Sequence, residues 1–287
     1  MIIAIVGPTA VGKTKLSVEL AKKYNAEIIS CDSMQIYKKM DIATAKVTEI
    51  EKENIIHHMI DIKDANDDYS VYDYQKDARI VLNKLIKNNK NVIIVGGTGL
   101  YLKALLYDYK FKEIKEKKDF TNYTNEELYK MVKQIDNNTK IHVNNRQRLE
   151  SFLNNHDSKI NTTDKKLYNA IIIGLKRNRN ELYDAINNRV DEMVNKGLLK
   201  EAKYFYDNKV YSKAIKTAIG YKELYLYFDG KISKDDAITL IKKKSRNYAK
   251  RQFTYFKHQL DVKWFDIDIN NFNNTINNVV DFIEKNI

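Results

Sequence analysis

The stretch GPTAVGKT, Gly7 to Thr14, follows the apolar run IIAIV and leads into KTKLSVELAKKY, where Leu16 and Leu20 stand one helical turn apart. A strand, a turn with the spacing G-x-x-x-x-G-K-[ST] and a helix, in that order, predict a phosphate-gripping loop. Such a loop sits at the carboxyl end of a parallel strand, which narrows the fold more than any other feature here. Across Gly7, Pro8, Thr9, Ala10, Val11, Gly12, Lys13 and Thr14 the glycines let successive backbone N–H groups turn onto phosphate oxygens, and the helix end adds its positive pole. Lys13 would neutralise the outer phosphates, and the Thr14 hydroxyl would reach a magnesium ion. Pro8, the one proline of the chain, would set the loop's entry.

Two further strands share the pattern. EIISC (27–31) ends at Asp32, and NVIIV, with its core at 92–95, ends in Gly96-Gly97-Thr98-Gly99. Between them Tyr74, Ala78, Val81, Leu82 and Leu85 recur at helical spacing. Apolar strands alternating with amphipathic helices predict an α/β fold, a P-loop NTPase-like parallel sheet flanked by helices. All three motifs would gather at the carboxyl ends of the strands.

From residue 112 the texture turns lysine-rich and then polar, so 112–177 reads as a small, mostly helical insertion, with 1–111 and 178–287 forming the core. Leu182, Ile186, Val190 and Met193 make the next helical stripe, with Gly197 as a break. Ser233 and Asp236 open a later basic helix as a capping box. The tail NNFNNTINN reads as a solvated loop before a short final helix.

Composition limits the function classes. No apolar run approaches a membrane span, which with 43% hydrophobic and 31% charged residues predicts a soluble cytoplasmic chain with no membrane partner. A single cysteine, Cys31, excludes an intrachain disulfide and a cysteine-cluster zinc site. His57 and His58 are adjacent, so their side chains diverge and no third ligand stands at helical spacing. Lys+Arg 50 against Asp+Glu 38 leaves a formal charge of +12, which suits a polyanion and would also follow from a general drift towards lysine.

The acid sits in an unusual place for a P-loop chain. Hydrolytic members end a later strand in Asp, whereas NVIIV ends in glycine and the carboxylate follows the earlier strand, at Asp32. There it could hold magnesium, take a proton from an acceptor, or cap a turn. Gly96, Gly97 and Gly99 allow a ligand to approach Thr98, or simply make a tight turn. Arg189 could as well pair with Asp191 or Glu192 on its own helix surface.

GPTAVGKT, DSMQIYKKMDIATAK, HHMID, YSVYDY, GGTGLYLKALL, RVDEM, AIGYKE and RNYAKRQ occur in this order from residue 7 to about 256. The ordered set is similar to the bacterial tRNA dimethylallyltransferase family, also called tRNA isopentenyltransferases. The resemblance implies transfer of a dimethylallyl group from dimethylallyl diphosphate to the exocyclic amine of the adenine 3′ of a tRNA anticodon, by a monomer using Mg2+. It implies Asp32 as general base, Thr98 as a hydroxyl orienting the acceptor or that carboxylate, and Arg189 on the diphosphate. For the anticodon stem-loop it implies Asp32, Ser33, Met34, Gln35 and Thr98, then Gln147, Arg148, Leu149, Glu150 and Ser151, with Arg246, Lys250 and Arg251 on the basic helix. Two departures stand out: Ser151 where the family often has arginine, and no clear match among the lysines of 112–118 for another arginine. A nucleotide kinase, prenyl transfer to a free adenine nucleotide, and an RNA-binding protein with a regulatory P-loop are the competing readings; no compact arginine-rich lid supports the kinase.

Overall fold

The computed structural model describes residues 1–111, 118–155 and 165–286, with the side chain of Asn155 set aside. Of the lysines of 112–118, where a cation was sought for RNA, all but Lys118 lie outside the described residues.

The elements in chain order are β1 (Ile2–Val6), α1 (Lys13–Tyr24), β2 (Ala26–Ser30), α2 (Glu49–Lys52), β3 (His57–His58), α3 (Val71–Lys87), β4 (Asn91–Val95), α4 (Gly99–Leu106), α5 (Asn125–Ile135), α6 (Arg146–Asn155), β5 (Ile171–Lys176), α7 (Arg179–Asn195), α8 (Leu198–Asp207), α9 (Lys213–Thr217), α10 (Tyr221–Phe228), α11 (Lys234–Gln259), β6 (Lys263–Asp266) and α12 (Phe272–Glu284). The strands form one six-stranded sheet in the order β3-β2-β4-β1-β5-β6, with every pairing parallel. Register lines up the strand ends that matter: Ile5 pairs with Val95, and Val95 with Ser30. The chain therefore leaves β1, β4 and β2 at one level, bringing the P-loop, GGTG and CDSMQ to one edge.

Helices cover both faces of the sheet, and β1 shows why its residues are uniformly apolar. Ile3 and Ile5 enter one buried cluster with Leu16, Leu20 and Ile28, whereas Ala4 and Val6 enter another with Ile29, Tyr74 and Leu102. A strand buried on both sides has no position left for a polar side chain.

The chain divides into two compact units, Met1–Tyr107 with Lys166–Ile287, and Asp108–Lys165. The second has its own small core of Phe120, Leu128, Val132, Leu149 and Leu153. The expected insertion boundary at 177 is corrected, because 171–176 is strand β5, paired to β1 with Ile3 opposite Ile171. An isoleucine-rich run of that length completes the sheet and leaves the insertion wholly without strand among the described residues.

The asparagine-rich tail is also corrected. Residues 272–284 form α12, which buries Thr275, Val279, Val280 and Ile283. Phe272, beneath the Lys15 ammonium at 5.3 Å, brings this helix against the start of α1. Asparagine is a poor helix former, yet the apolar residues keep helical spacing and tertiary packing decides the outcome. No described helix is long and apolar enough to cross a membrane.

Candidate active site

The P-loop enters α1 through Gly12 at φ +82°, and no side chain caps that helix and no acidic residue lies in its first turn. α2, α3 and α5 instead each close their N-terminus with a complete capping box. Donors left uncovered at a helix start, next to a lysine, form an anion-binding end. Lys13 Nζ donates to the Pro8 carbonyl at 2.6 Å. Burial pushes its ammonium down to about 7; Arg189 pushes the same way and Asp32 opposes them. An arriving anion would reverse the first two effects and restore the charge.

Asp32 lies just past β2. Its Oδ1 accepts the Met34 N–H at 2.9 Å, so the turn-capping role weighed from the sequence is real. Its Oδ2 lies on the GGTG side, 3.9 Å from where a Cβ on Gly97 would stand, and its charge opposes the lowering of the Lys13 and Arg189 pKa values. Capping one oxygen leaves the other lone pairs for a ligand, and the two roles coexist.

Arg189 comes from α7. Burial holds its guanidinium below the ordinary value, while Asp32, then Glu51 and Glu192, pull it back up. The surface pairing with Asp191 is not made; Asp191 meets Lys242 at 2.7 Å. A half-buried guanidinium whose charge also acts on Lys13 gathers more positive than negative charge here, as a site for an anionic ligand would.

Thr98 occupies the N-cap of α4 but does not cap its own helix. Its Oγ1 accepts the Ser33 N–H at 3.0 Å and lies 3.3 Å from Ser33 Oγ. The hydroxyl thus steadies the residue next to Asp32; of the two partners weighed for it, the carboxylate is not bonded in this structure. Backbone crowding requires Gly96, and Gly97 leaves room for a side-chain amide. A Cβ on Gly96 would lie 2.1 Å from the Cys31 carbonyl oxygen, and one on Gly97 would lie 2.1 Å from Gln252 Nε2.

Gln252 was not singled out from the sequence, although it ends the quoted RNYAKRQ. It is buried on α11; its Oε1 accepts the Thr9 N–H at 3.0 Å and its Nε2 donates to the Gly97 carbonyl at 3.0 Å. One amide therefore ties the P-loop to the GGTG turn. Tyr248, one turn earlier, has its hydroxyl pushed up by burial and by Asp32, with Thr98 and Gln252 opposing. The only available signal was position: a glutamine one turn beyond an aromatic on a helix otherwise lined with cations.

The remaining expected residues divide. Met34 packs against the core, and Gln35 Nε2 lies 3.4 Å from the carbonyls of Thr44 and Ala45. On α6, Gln147, Arg148 and Ser151 are exposed, and Glu150 pairs with Arg146 at 2.7 Å. Leu149 is corrected: at 0% exposure it belongs to the small core and has no surface for RNA. On α11, Arg246 Nη1 bonds Asn187 Oδ1 at 2.5 Å, while Lys250 and Arg251 are exposed. Cys31 is buried, and burial pushes its thiol up to about 12. His58 meets Glu27 on β2 at 2.7 Å.

Comparison with known proteins bears on the family of the chain as a whole. The family described as IPP transferase matches residues 35–259. A tRNA dimethylallyltransferase of Anoxybacillus flavithermus is 42% identical over 298 aligned residues, 99% of this chain and 96% of the relative. The crystal structure of the full-length tRNA isopentenylpyrophosphate transferase from Bacillus halodurans superposes with a TM-score of 0.78 at 41% identity, covering 99% of this chain and 95% of that one. A eukaryotic dimethylallyltransferase described as acting on tRNA superposes at 0.76 with 27% identity, covering 92% of this chain and 73% of its own. The chain belongs to the IPP transferase family and is an enzyme of the prenyltransferase kind.

Proposed function

We propose that the chain transfers the dimethylallyl group of dimethylallyl diphosphate to the exocyclic amine of the adenine 3′ of a tRNA anticodon. The allylic C–O bond breaks, a C–N bond forms, the amine proton passes to Asp32 and diphosphate leaves. The observation that carries this reading is geometric: β1, β4 and β2 end in register, and Gln252 bonds both the Thr9 N–H and the Gly97 carbonyl, so the P-loop, the GGTG turn and the residue that follows β2, Asp32, gather at one edge of the sheet. Lys13, Arg189 and the uncapped start of α1 stabilise the charge that grows on the leaving group. An exocyclic amine is a weak nucleophile, and removal of its proton during attack makes the transfer feasible.

Magnesium fits the residues present. The donors offered are the Thr14 hydroxyl and the Asp32 carboxylate, and among the described residues no group of three His, Cys, Asp or Glu could hold a metal unaided. That all-oxygen, sparse set suits an ion that keeps water and takes most of its ligands from substrate phosphate. When bound, Mg2+ supplies additional positive charge to the diphosphate.

The target base must leave the anticodon-loop stack to enter such a pocket. The relatives' names support RNA as the acceptor, as does α11, which carries Lys243, Lys244, Lys250, Arg251 and Lys257 exposed and no acid beyond Asp236. The 108–165 unit would add Gln147, Arg148 and Ser151.

The test mixes the protein with Mg2+, labelled dimethylallyl diphosphate and either unmodified tRNA or AMP. Label is expected in tRNA alone and lost in Asp32→Asn with RNA binding retained. Phosphate transfer from ATP without prenyl label would establish a kinase instead.

A further inference from the structure

The motif residues DIATAK, HHMID and AIGYKE take no direct part in the site, yet they meet around one turn. Three consecutive amides, Asp41, Ile42 and Ala43, donate to the Glu201 carboxylate at 3.0, 2.7 and 3.0 Å, and the Tyr221 hydroxyl adds a fourth bond at 2.7 Å. A carboxylate offers about four acceptor directions, so Glu201 is saturated. From the other side Lys46 is buried, its Nζ reaching Tyr37 O at 2.8 Å, Asp41 Oδ1 at 2.7 Å and Asp61 Oδ1 at 2.5 Å. All three of its donors are used.

The clamped turn has one visible consequence. Its next two carbonyls, Thr44 and Ala45, both face Gln35 Nε2, while Ser30 at the end of β2 donates to Gln35 Oε1 at 3.3 Å. Gln35 lies on the same turn as Asp32, and its contacts at 3.4 Å are long enough that a small displacement of the 41–45 turn would release it.

We propose that Glu201 is a positioning residue for acceptor RNA: it holds the 41–45 turn so that the turn's carbonyls orient the Gln35 amide beside Asp32. This rests on the reading of the DSMQ turn as a part that meets tRNA. The four hydrogen bonds of Glu201 go to the 41–43 turn and Tyr221 and none to the P-loop, so its influence falls on the acceptor side.

The experiment measures, by calorimetry on the full chain with Mg2+, the affinity for an anticodon stem-loop RNA and for inorganic diphosphate. Glu201→Gln, which replaces a saturated acceptor by an amide facing N–H groups, should weaken RNA binding about tenfold and diphosphate by less than about twofold. In a Gln35→Ala background the same change should cost RNA binding under about twofold, because the effect runs through Gln35. Tyr221→Phe removes one of the four donors and should give the same split at about two- to threefold; it serves if Glu201→Gln does not fold. Unchanged RNA affinity in the folded variants, equal losses for both ligands, or full additivity with Gln35→Ala would each overturn the proposal. Wild-type protein that binds diphosphate but no stem-loop would overturn the functional reading as well, and that result is seen before any variant is made.

Discussion

Two turns in this chain present backbone N–H groups to a negative charge, and they differ in where the charge comes from. At Asp41–Ala43 the anion is the chain's own Glu201, and the neighbouring cation Lys46 is fully engaged by Asp41, Asp61 and Tyr37. At the P-loop no acidic residue lies in the first turn of α1, and Lys13 feels the charge of a second half-buried cation, Arg189. The first turn is electrostatically closed and serves the fold. The second is left unbalanced, and the imbalance is what a diphosphate would relieve.

The contrast predicts opposite consequences for removing the two lysines. Lys13→Met should lower prenyl transfer by about a hundred- to a thousandfold, while the denaturation midpoint stays level or rises, because a desolvated, repelled charge has gone. Lys46→Met should cost about 3 kcal/mol of folding free energy, the lower end for a broken buried ion pair, since Asp41 and Asp61 keep 58% and 46% of their side-chain exposure. Urea titrations beside initial rates check both. A Lys13 variant that loses stability in proportion to its activity would break the distinction.

Joining the open turn to its partner depends on Gln252. Gly97→Ala places a Cβ 2.1 Å from Gln252 Nε2, so the Gln252 amide must shift and the tie between the GGTG turn and the P-loop is disturbed. A displacement of that order should lower kcat/KM up to about a hundredfold, with the thermal midpoint reporting whether the fold survives. Gln252→Leu, which removes both bonds without the clash, should show a loss of the same sign.

What could be read from the residues alone follows from locality. Gly7–Thr14, Asp32 and GGTG are contiguous words whose neighbours in sequence are also their neighbours in function, and the sheet brought them to one edge because each follows a strand. β5 was hidden because its isoleucines follow a long polar stretch that suggested continuity, and only pairing to β1 distinguishes a buried strand from a helical segment. α12 was hidden by its asparagines. Gln252 and Glu201 were beyond reach for another reason: their partners lie 243 and about 160 residues away, and nothing local marks an amide or a carboxylate as a tie. Leu149 was misassigned because a motif read as a block carries its core residue along with its exposed ones.

Titration offers a subtler way to sharpen the comparison, since Lys13 is pushed down to about 7 when free. Diphosphate binding should raise that pKa, so the complex holds more protons and affinity falls as pH rises above about 7, by up to about tenfold per unit. Free-protein stability moves the other way: a lysine whose folded pKa lies below its unfolded value gains stability with rising pH over the same window. Loss of binding at pH 8–9 therefore cannot be ascribed to unfolding through this group. Calorimetry in buffers of different ionisation enthalpy should show proton uptake at pH 8 that disappears in Lys13→Arg.

The smallest effect concerns the 108–165 unit, where the same division between engaged and available charge recurs. Arg146 on α6 serves its own unit, bonding Glu150 at 2.7 Å, Phe120 O at 2.6 Å and Tyr123 O at 2.8 Å. Arg148 is exposed two residues on, and Ser151, exposed on the same helix, lies one turn beyond it. If Arg148 meets phosphate, Ser151→Arg adds a second cation beside it. The gain in tRNA affinity should be about two- to fivefold at moderate salt, and the slope of log affinity against log salt should steepen by about 1. Because Ser151 is remote in sequence from both turns, diphosphate affinity should not move. A Ser151→Arg protein with the wild-type salt slope would mean that this face of α6 does not meet the RNA backbone, and Arg148 would then join Arg146 as a residue of the fold.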